Sequence, residues 1–312
     1  MLNKRNLLIP TAAALMALTS LPGCFTGIES TPRITQADVD RRNSHSKTPE
    51  QMLLSEVRAE PFAAWTHGKK LYVTDSRIAV ALTPSSAAAE LTEGSVLDYR
   101  GMNPSLTVMG DSVADLLFLT PQGHTVTYRT EMTPADLRSR QEVFVPYTVE
   151  ISLAESAASV MTGRRLWILT SHWHETDGSS IDRRKFVPVT VTGVTAGNAV
   201  FPLQVLFTDE SGSTYAVYIT ADTESRSGRT FHHTFSMTDP RKKYPAVSDD
   251  NWNNITRGKV AAEMTRDECR LALGAPDEIE RNTGISNTSE RWTYENGVYL
   301  IFENGLLTRF LQ

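Results

Sequence analysis

The residues best placed to do chemistry form one run, His172, Trp173, His174, Glu175, Thr176 and Asp177. On a strand, side chains two apart point the same way, so His172 and His174 would aim two imidazoles at one point. A third ligand from Asp177, or from His232 and His233, would complete a zinc-type site able to activate water for hydrolysis. The competing reading is a polar loop. Asp177, Gly178, Ser179 and Ser180 are turn residues, and the matching stretch earlier in the chain, Asp75, Ser76, Arg77 and Ile78, has no histidine.

Other chemistry is absent from the sequence. There is no Gly-x-Ser-x-Gly elbow, no phosphate loop and no Gly-x-Gly-x-x-Gly turn. Cys269 has no histidine near it in sequence and lies in a helical pattern, where a lone thiol behaves as a small hydrophobe. The expectation is a non-enzyme with no catalytic residue, no metal and no cofactor. A metal-dependent hydrolase built on the His172 region is the more distant alternative.

The elements that would position these residues follow from composition and pattern. The chain has 312 residues, 40% hydrophobic and 21% charged, with a net charge of -5. That is an ordinary globular composition with room for two or three domains. The mildly acidic balance argues against nucleic acid, whose binders cluster lysine and arginine on one face. The longest basic cluster is only Arg241, Lys242 and Lys243.

The first residues read as a secretory signal. Lys4 and Arg5 precede an apolar stretch over residues 7–21, too short for the roughly 20 residues of a membrane span. It ends Leu21, Pro22, Gly23, Cys24. This ending resembles the lipobox of bacterial lipoproteins, with Pro22 where that motif commonly has a small residue. The resemblance implies cleavage after residue 23 and lipid attachment at Cys24. Loss of Lys4 and Arg5 would take the mature chain from -5 to -7. With Cys24 acylated, Cys269 is left without a disulfide partner. Residues 24–47 are polar and read as a tether with a span of about 27 Å.

Thr48, Pro49 and Gln51 then supply a helix start, with an N-cap, a proline at the first position and a capping-box glutamine. From about residue 60 the period is that of strands, including runs at 71–74, 77–82, 95–99, 116–119 and 125–128. The pattern returns. Gly68, Lys69, Lys70, Leu71, Tyr72, Val73 match Gly163, Arg164, Arg165, Leu166, Trp167, Ile168. The stretch ending at Gly101 matches the one ending at Gly193, and Gly123, Tyr128, Thr130 match Gly212, Tyr218, Thr220. Three anchors in one order read as a duplicated domain. The two opening runs resemble the first strand of bacterial SH3-like barrels. Residues 48–145 and 146–236 are therefore expected to be two small all-β, SH3-like modules, and residues 237–248, broken by Pro240 and Pro245, a linker.

Residues 249–312 carry the clearest signals. Asp249 to Gly258 reads as a short helix. Thr265 and Glu268 form a capping box, Cys269, Ala272 and Leu273 share a face, and Gly274 with Pro276 ends a helix over 266–273. Asn296-Gly297 and Asn304-Gly305 separate alternating runs and predict type I′ hairpins. A two-helix, three-stranded antiparallel α+β domain results. Met264, Thr265, Glu268, then Leu273, Gly274, Ala275, Pro276, then Trp292, Thr293, Tyr294, Phe302, Asn304, Gly305 and Leu306 resemble the SmpA/OmlA (BamE-like) domain of bacterial outer-membrane lipoproteins. That family usually has glycine where this chain has Glu263.

The resemblance implies a non-enzymatic binding or scaffold component in outer-membrane assembly or integrity. It would be lipid-anchored to the outer membrane on its periplasmic face, with other envelope proteins as partners. A peptidoglycan-binding lipoprotein using the SH3-like modules is the alternative, favoured if aromatics around Tyr72 and Trp167 are exposed. A Cys24→Ser form is expected to lose partition into the detergent phase. Continued partition as a lipidated protein would refute acylation at this position.

Overall fold

A computed structural model describes residues 47–176, 184–223, 225–283 and 288–312. Cys24, the signal segment, most of the tether and Asp177 lie outside the described residues.

The described chain is mostly antiparallel sheet. The first sheet comprises β1 (Lys70–Val73), β2 (Leu82–Thr83), β3 (Val96–Leu106), β4 (Ser112–Leu119), β5 (Thr125–Arg129) and β6 (Thr148–Glu150), in the order β2-β5-β4-β3-β1-β6. The second comprises β7 (Arg165–Ile168), β8 (His174–Glu175), β9 (Val187–Ala196), β10 (Leu203–Thr208), β11 (Thr214–Ile219) and β12 (Phe235–Ser236), in the order β12-β7-β9-β10-β11-β8. Read from the opposite edge, the second order repeats the first strand for strand. Even the irregularity recurs: Arg100 is bulged out between Tyr99 and Gly101, and Thr192 between Val191 and Gly193.

The expected pair of SH3-like barrels is corrected by these sheets. Each has six strands and two edges, and no pairing joins β2 to β6 or β8 to β12 among the described residues. The run at 77–82 was expected as a strand. Instead, Asp75 Oδ1 accepts from the Arg77 backbone N–H at 2.8 Å and starts a helical turn at Ile78–Ala81, leaving only the two-residue β2. A local side-chain acceptor here outcompetes the ladder.

Each sheet buries one face. Leu71, Val73, Leu97, Leu116, Phe118 and Val126 line the first core. The second core adds Leu153, Ala154, Ala157 and Met161 from helix α1 (Ile151–Met161) to Val205, Phe207, Val217 and Ile219. The capping box at Thr48 forms with Gln51, but the residues after it, Leu54 and Val57, pack in this second core.

The third sheet is a meander of β13 (Glu278–Thr283), β14 (Thr288–Thr293), β15 (Tyr299–Glu303) and β16 (Leu306–Leu311). The expected domain of two helices on a three-stranded sheet is therefore not what forms. The added strand, β13, has Ile279 as its one large apolar residue, so hydrophobic alternation could not announce it. Helices α2 (Asp249–Thr256) and α3 (Arg266–Leu273) pack with the meander around Trp292, Leu300 and Phe302. Thr265 and Glu268 make the capping box reciprocally. Asn304 and Gly305 both have positive φ, as a type I′ turn requires, whereas Glu295–Gly297 forms a 3-10 turn instead. Glu263 takes φ +67, a glycine-like backbone, and its N–H donates to the Leu307 carbonyl at 2.8 Å, covering the start of the β16 edge.

Two adjacent residues connect the second sheet to this last layer. Phe186 donates its N–H to the Ile168 carbonyl of β7, and Lys185 donates its N–H to the Thr256 carbonyl of α2 at 2.9 Å. The Phe186 ring stacks on Trp252 at 5.6 Å, and Lys185 Nζ donates to the Ala272 carbonyl near the end of α3 at 2.7 Å. Burial pulls the Lys185 ammonium down to about 8 from an ordinary 10.5. The folded chain thus releases this proton near pH 8 while the unfolded chain holds it to about 10.5. The cost is full below pH 8 and is relieved as pH rises towards 10.5, on the order of 3 kcal/mol. Chemical unfolding measured from pH 7 to 10 is expected to show a Lys185 contribution rising with pH, and Lys185→Met should flatten that slope.

Candidate binding face

The histidine run separates into three environments. His172 is exposed, and its backbone N–H donates to Thr170 Oγ1 at 3.0 Å. Trp173 turns into the second core. It meets Tyr215 edge-on at 4.6 Å and Phe207 at 5.8 Å, and its indole N–H donates to the Arg184 carbonyl at 2.9 Å. His174 lies on β8 opposite Ala216, with its ring stacked on Tyr218 at 5.2 Å.

His232 and His233 stand elsewhere, ring to ring at 4.1 Å, both within hydrogen-bonding distance of Thr230 Oγ1. Asp177 lies outside the described residues. Among the described residues, no three histidine, cysteine or carboxylate side chains converge as metal ligands. The hydrolase alternative thus lacks its ligand set there.

A different group does assemble. Core residues alternate with outward ones along β10, and Tyr218 of β11 stands outward between buried Val217 and Ile219, so the outer face of the second sheet carries a cross-strand row. Thr195 of β9 donates to Gln204 Oε1 at 3.2 Å, Gln204 of β10 donates to the Tyr218 hydroxyl at 3.3 Å, and Tyr218 of β11 stacks on His174 of β8. Tyr72, on the outward side of β1 between buried Leu71 and Val73, lies near enough to Tyr218 for the two phenols to interact electrostatically. Burial, then the Glu93 carboxylate, raises both the Tyr72 and Tyr218 phenols above their ordinary 10. Both hydroxyls therefore keep their protons at physiological pH. The strip offers two phenols, an amide, an imidazole and a carboxylate on half-buried rings, which suits hydrogen bonding and ring stacking with a ligand.

Comparison with family models, with curated proteins and with solved structures found no match. The assignment of the face thus rests on its own chemistry.

Other polar groups are committed internally. In a cleft of about 370 Å³ beside Trp173 and Tyr215, Asp209 Oδ1 accepts from the Ser211 N–H and hydroxyl and from the Ser213 N–H, and Glu210 pairs with Arg165 at 3.2 Å. Burial, then Glu268, pushes the Cys269 thiol up to about 12, so it stays a thiol. Burial opposes ionisation of Glu290, yet the Trp292 indole N–H, Arg266 and Arg281 hold its carboxyl below the usual range.

Of the histidine run, only His174 falls on this strip. The motif missed Tyr72, Glu93, Gln204 and Thr195, which lie far apart in the chain. The repeat gave one usable signal, since Tyr128 matches Tyr218 and both fall on the fifth strand of their sheets. Trp173→Ala is expected to lower unfolding stability by about 3–5 kcal/mol. His172→Ala should stay within about 0.5 kcal/mol. Denaturant titration compares them directly, and equal losses would show that His172 has a structural role.

Proposed function

We propose that this chain is a non-enzymatic binding component of a bacterial envelope, held to the outer membrane on its periplasmic side by lipid on Cys24. The polar and aromatic strip from Tyr72 through Tyr218 to His174 carries this reading. Thr195, Gln204, Tyr218 and His174 within it are already ordered by mutual hydrogen bonds and stacking. Such a strip recognises a surface without rearrangement, which lowers the entropic cost of binding. The motif ending at Cys24 supports the location.

Peptidoglycan as ligand is the second reading. It is favoured by one observation: aromatic rings stand beside an amide and the Glu93 carboxylate, a combination suited to sugar rings and hydroxyls. Cosedimentation with purified peptidoglycan separates the two readings. The glycan reading expects pelleting that falls at least tenfold in Tyr72→Ala/Tyr218→Ala, and no pelleting of the parent chain removes it. The protein-partner reading expects a photoreactive side chain at position 218 to cross-link specific envelope proteins, competed by unlabelled chain. Absence of any such adduct in envelope preparations refutes it.

A further inference from the structure

A cavity of about 340 Å³ opens at the β12 edge of the second sheet, the edge opposite β8 and His174. Separate stretches of chain build it. Leu169 follows β7, Phe235 lies on β12 and Phe186 precedes β9. Lys243 and Tyr244 end the 3-10 turn Pro240–Lys243, and Glu50 sits on the helical turn Pro49–Met52.

The apolar lining is held in place. Phe235 is fully buried, and the Phe186 and Tyr244 rings lie against Trp252 at 5.6 Å and 6.1 Å. The charged lining is anchored too. Glu50 Oε1 accepts from the Met237 N–H at 3.1 Å. Asp239 Oδ1 accepts from the Arg241 N–H at 2.9 Å, and Arg241 Nη1 donates to the Tyr244 carbonyl at 3.1 Å, which ties the turn carrying Lys243 at both ends.

Burial opposes ionisation of Glu50, yet the Met237 N–H, its own N–H, the Thr48 hydroxyl and the Lys243 ammonium hold its carboxyl below the usual range. Lys243 therefore stands near enough to act on Glu50. The two do not touch, because among the described residues the Lys243 ammonium makes no ion pair or hydrogen bond, and neither does the Tyr244 hydroxyl. The Lys69 ammonium, by contrast, is closed off by Glu150 and Glu60 at 2.7 Å and 2.8 Å. Two opposite charges thus face one cavity with a gap between them.

We propose that this cavity binds a free amino acid with an apolar side chain, its carboxylate against Lys243 and its ammonium against Glu50. Charge complementarity selects this class. A simple anion would meet the Glu50 carboxylate, and a simple cation would meet Lys243. A wholly apolar ligand would cover both charges and answer neither. A zwitterion answers both across the gap, with the Tyr244 hydroxyl as a further donor, while its side chain covers the rings. The volume lies at the small end of ligand pockets, roughly 300–1,000 Å³, which suits one residue rather than a longer peptide. Walls already fixed in place lower the cost of ordering on binding. The site is separate from the Tyr72–Tyr218 strip and does not rest on the envelope reading.

The test is titration calorimetry of the full chain with leucine, with leucinamide, which lacks the carboxylate, and with N-acetylleucine, which lacks the ammonium. Leucine is expected to bind one to one with Kd below about 1 mM, and each analogue about tenfold more weakly. Lys243→Met should weaken leucine about tenfold and leave leucinamide unchanged. Glu50→Gln keeps an acceptor for the Met237 N–H, and should weaken leucine while leaving N-acetylleucine unchanged. Lys242→Met, a neighbouring exposed lysine outside the lining, is the control and should bind leucine as the parent does. An unchanged melting temperature in Lys243→Met shows that its loss of binding is local. No leucine binding at about 10 mM, equal binding of the three compounds, or equal losses in Lys242→Met and Lys243→Met overturns the proposal.

Discussion

A buried ammonium must keep hydrogen-bond acceptors around it, and both junctions of this chain are organised by that requirement. At the first, the Lys69 side chain is 4% exposed, with Nζ 2.7 Å from Glu150 Oε2, 2.8 Å from Glu60 Oε2 and 3.2 Å from Ser152 Oγ. Its ammonium also sits over the Trp65 ring at 5.0 Å. Lys69 immediately precedes β1, Glu150 ends β6 and Ser152 begins α1. The pair therefore sets where the first sheet hands over to the helix that packs on the second core. Removing one partner would strand a buried charge, a loss of about 3–5 kcal/mol.

The second junction uses a weaker acceptor. Lys185 meets the Ala272 carbonyl near the end of α3, where the helix dipole favours a cation. One carbonyl compensates burial less than two carboxylates do. This is why the Lys185 ammonium is depressed to about 8. Phe186 shares the work by stacking on Trp252, whose other neighbours include the Arg241 guanidinium at 5.0 Å. The last layer is thus joined to the second sheet by backbone bonds, one ring stack and one strained charge.

The first junction also positions the polar strip. The helix α1 route carries the chain from the first sheet into the second and leaves Tyr72 close to Tyr218. Thr195, Gln204, Tyr218 and His174 belong to the second sheet, and Tyr72 joins them from the first.

Much of this was legible in the sequence where one physical cause acts locally. The caps at Thr48 and Thr265, the end of α3 at Gly274 and the positive-φ turn at Asn304-Gly305 each follow from a side chain or a glycine acting on its own backbone. The matching anchors at 68–73 and 163–168 likewise fall on β1 and β7. What local pattern could not decide was how many strands pair and which edges stay open. β13 is polar because it is an edge, and β2 is short because Asp75 starts a turn before it. Nor could the sequence separate Lys69 from Arg164, which match in the repeat. One is buried between carboxylates and the other is exposed, because only the first has Glu60 and Glu150 brought to it from 9 and 81 residues away. Local hydrogen bonding and turn chemistry were written in the sequence, while sheet edges, buried charge pairs and the Tyr72–Tyr218 face were decided by long-range packing.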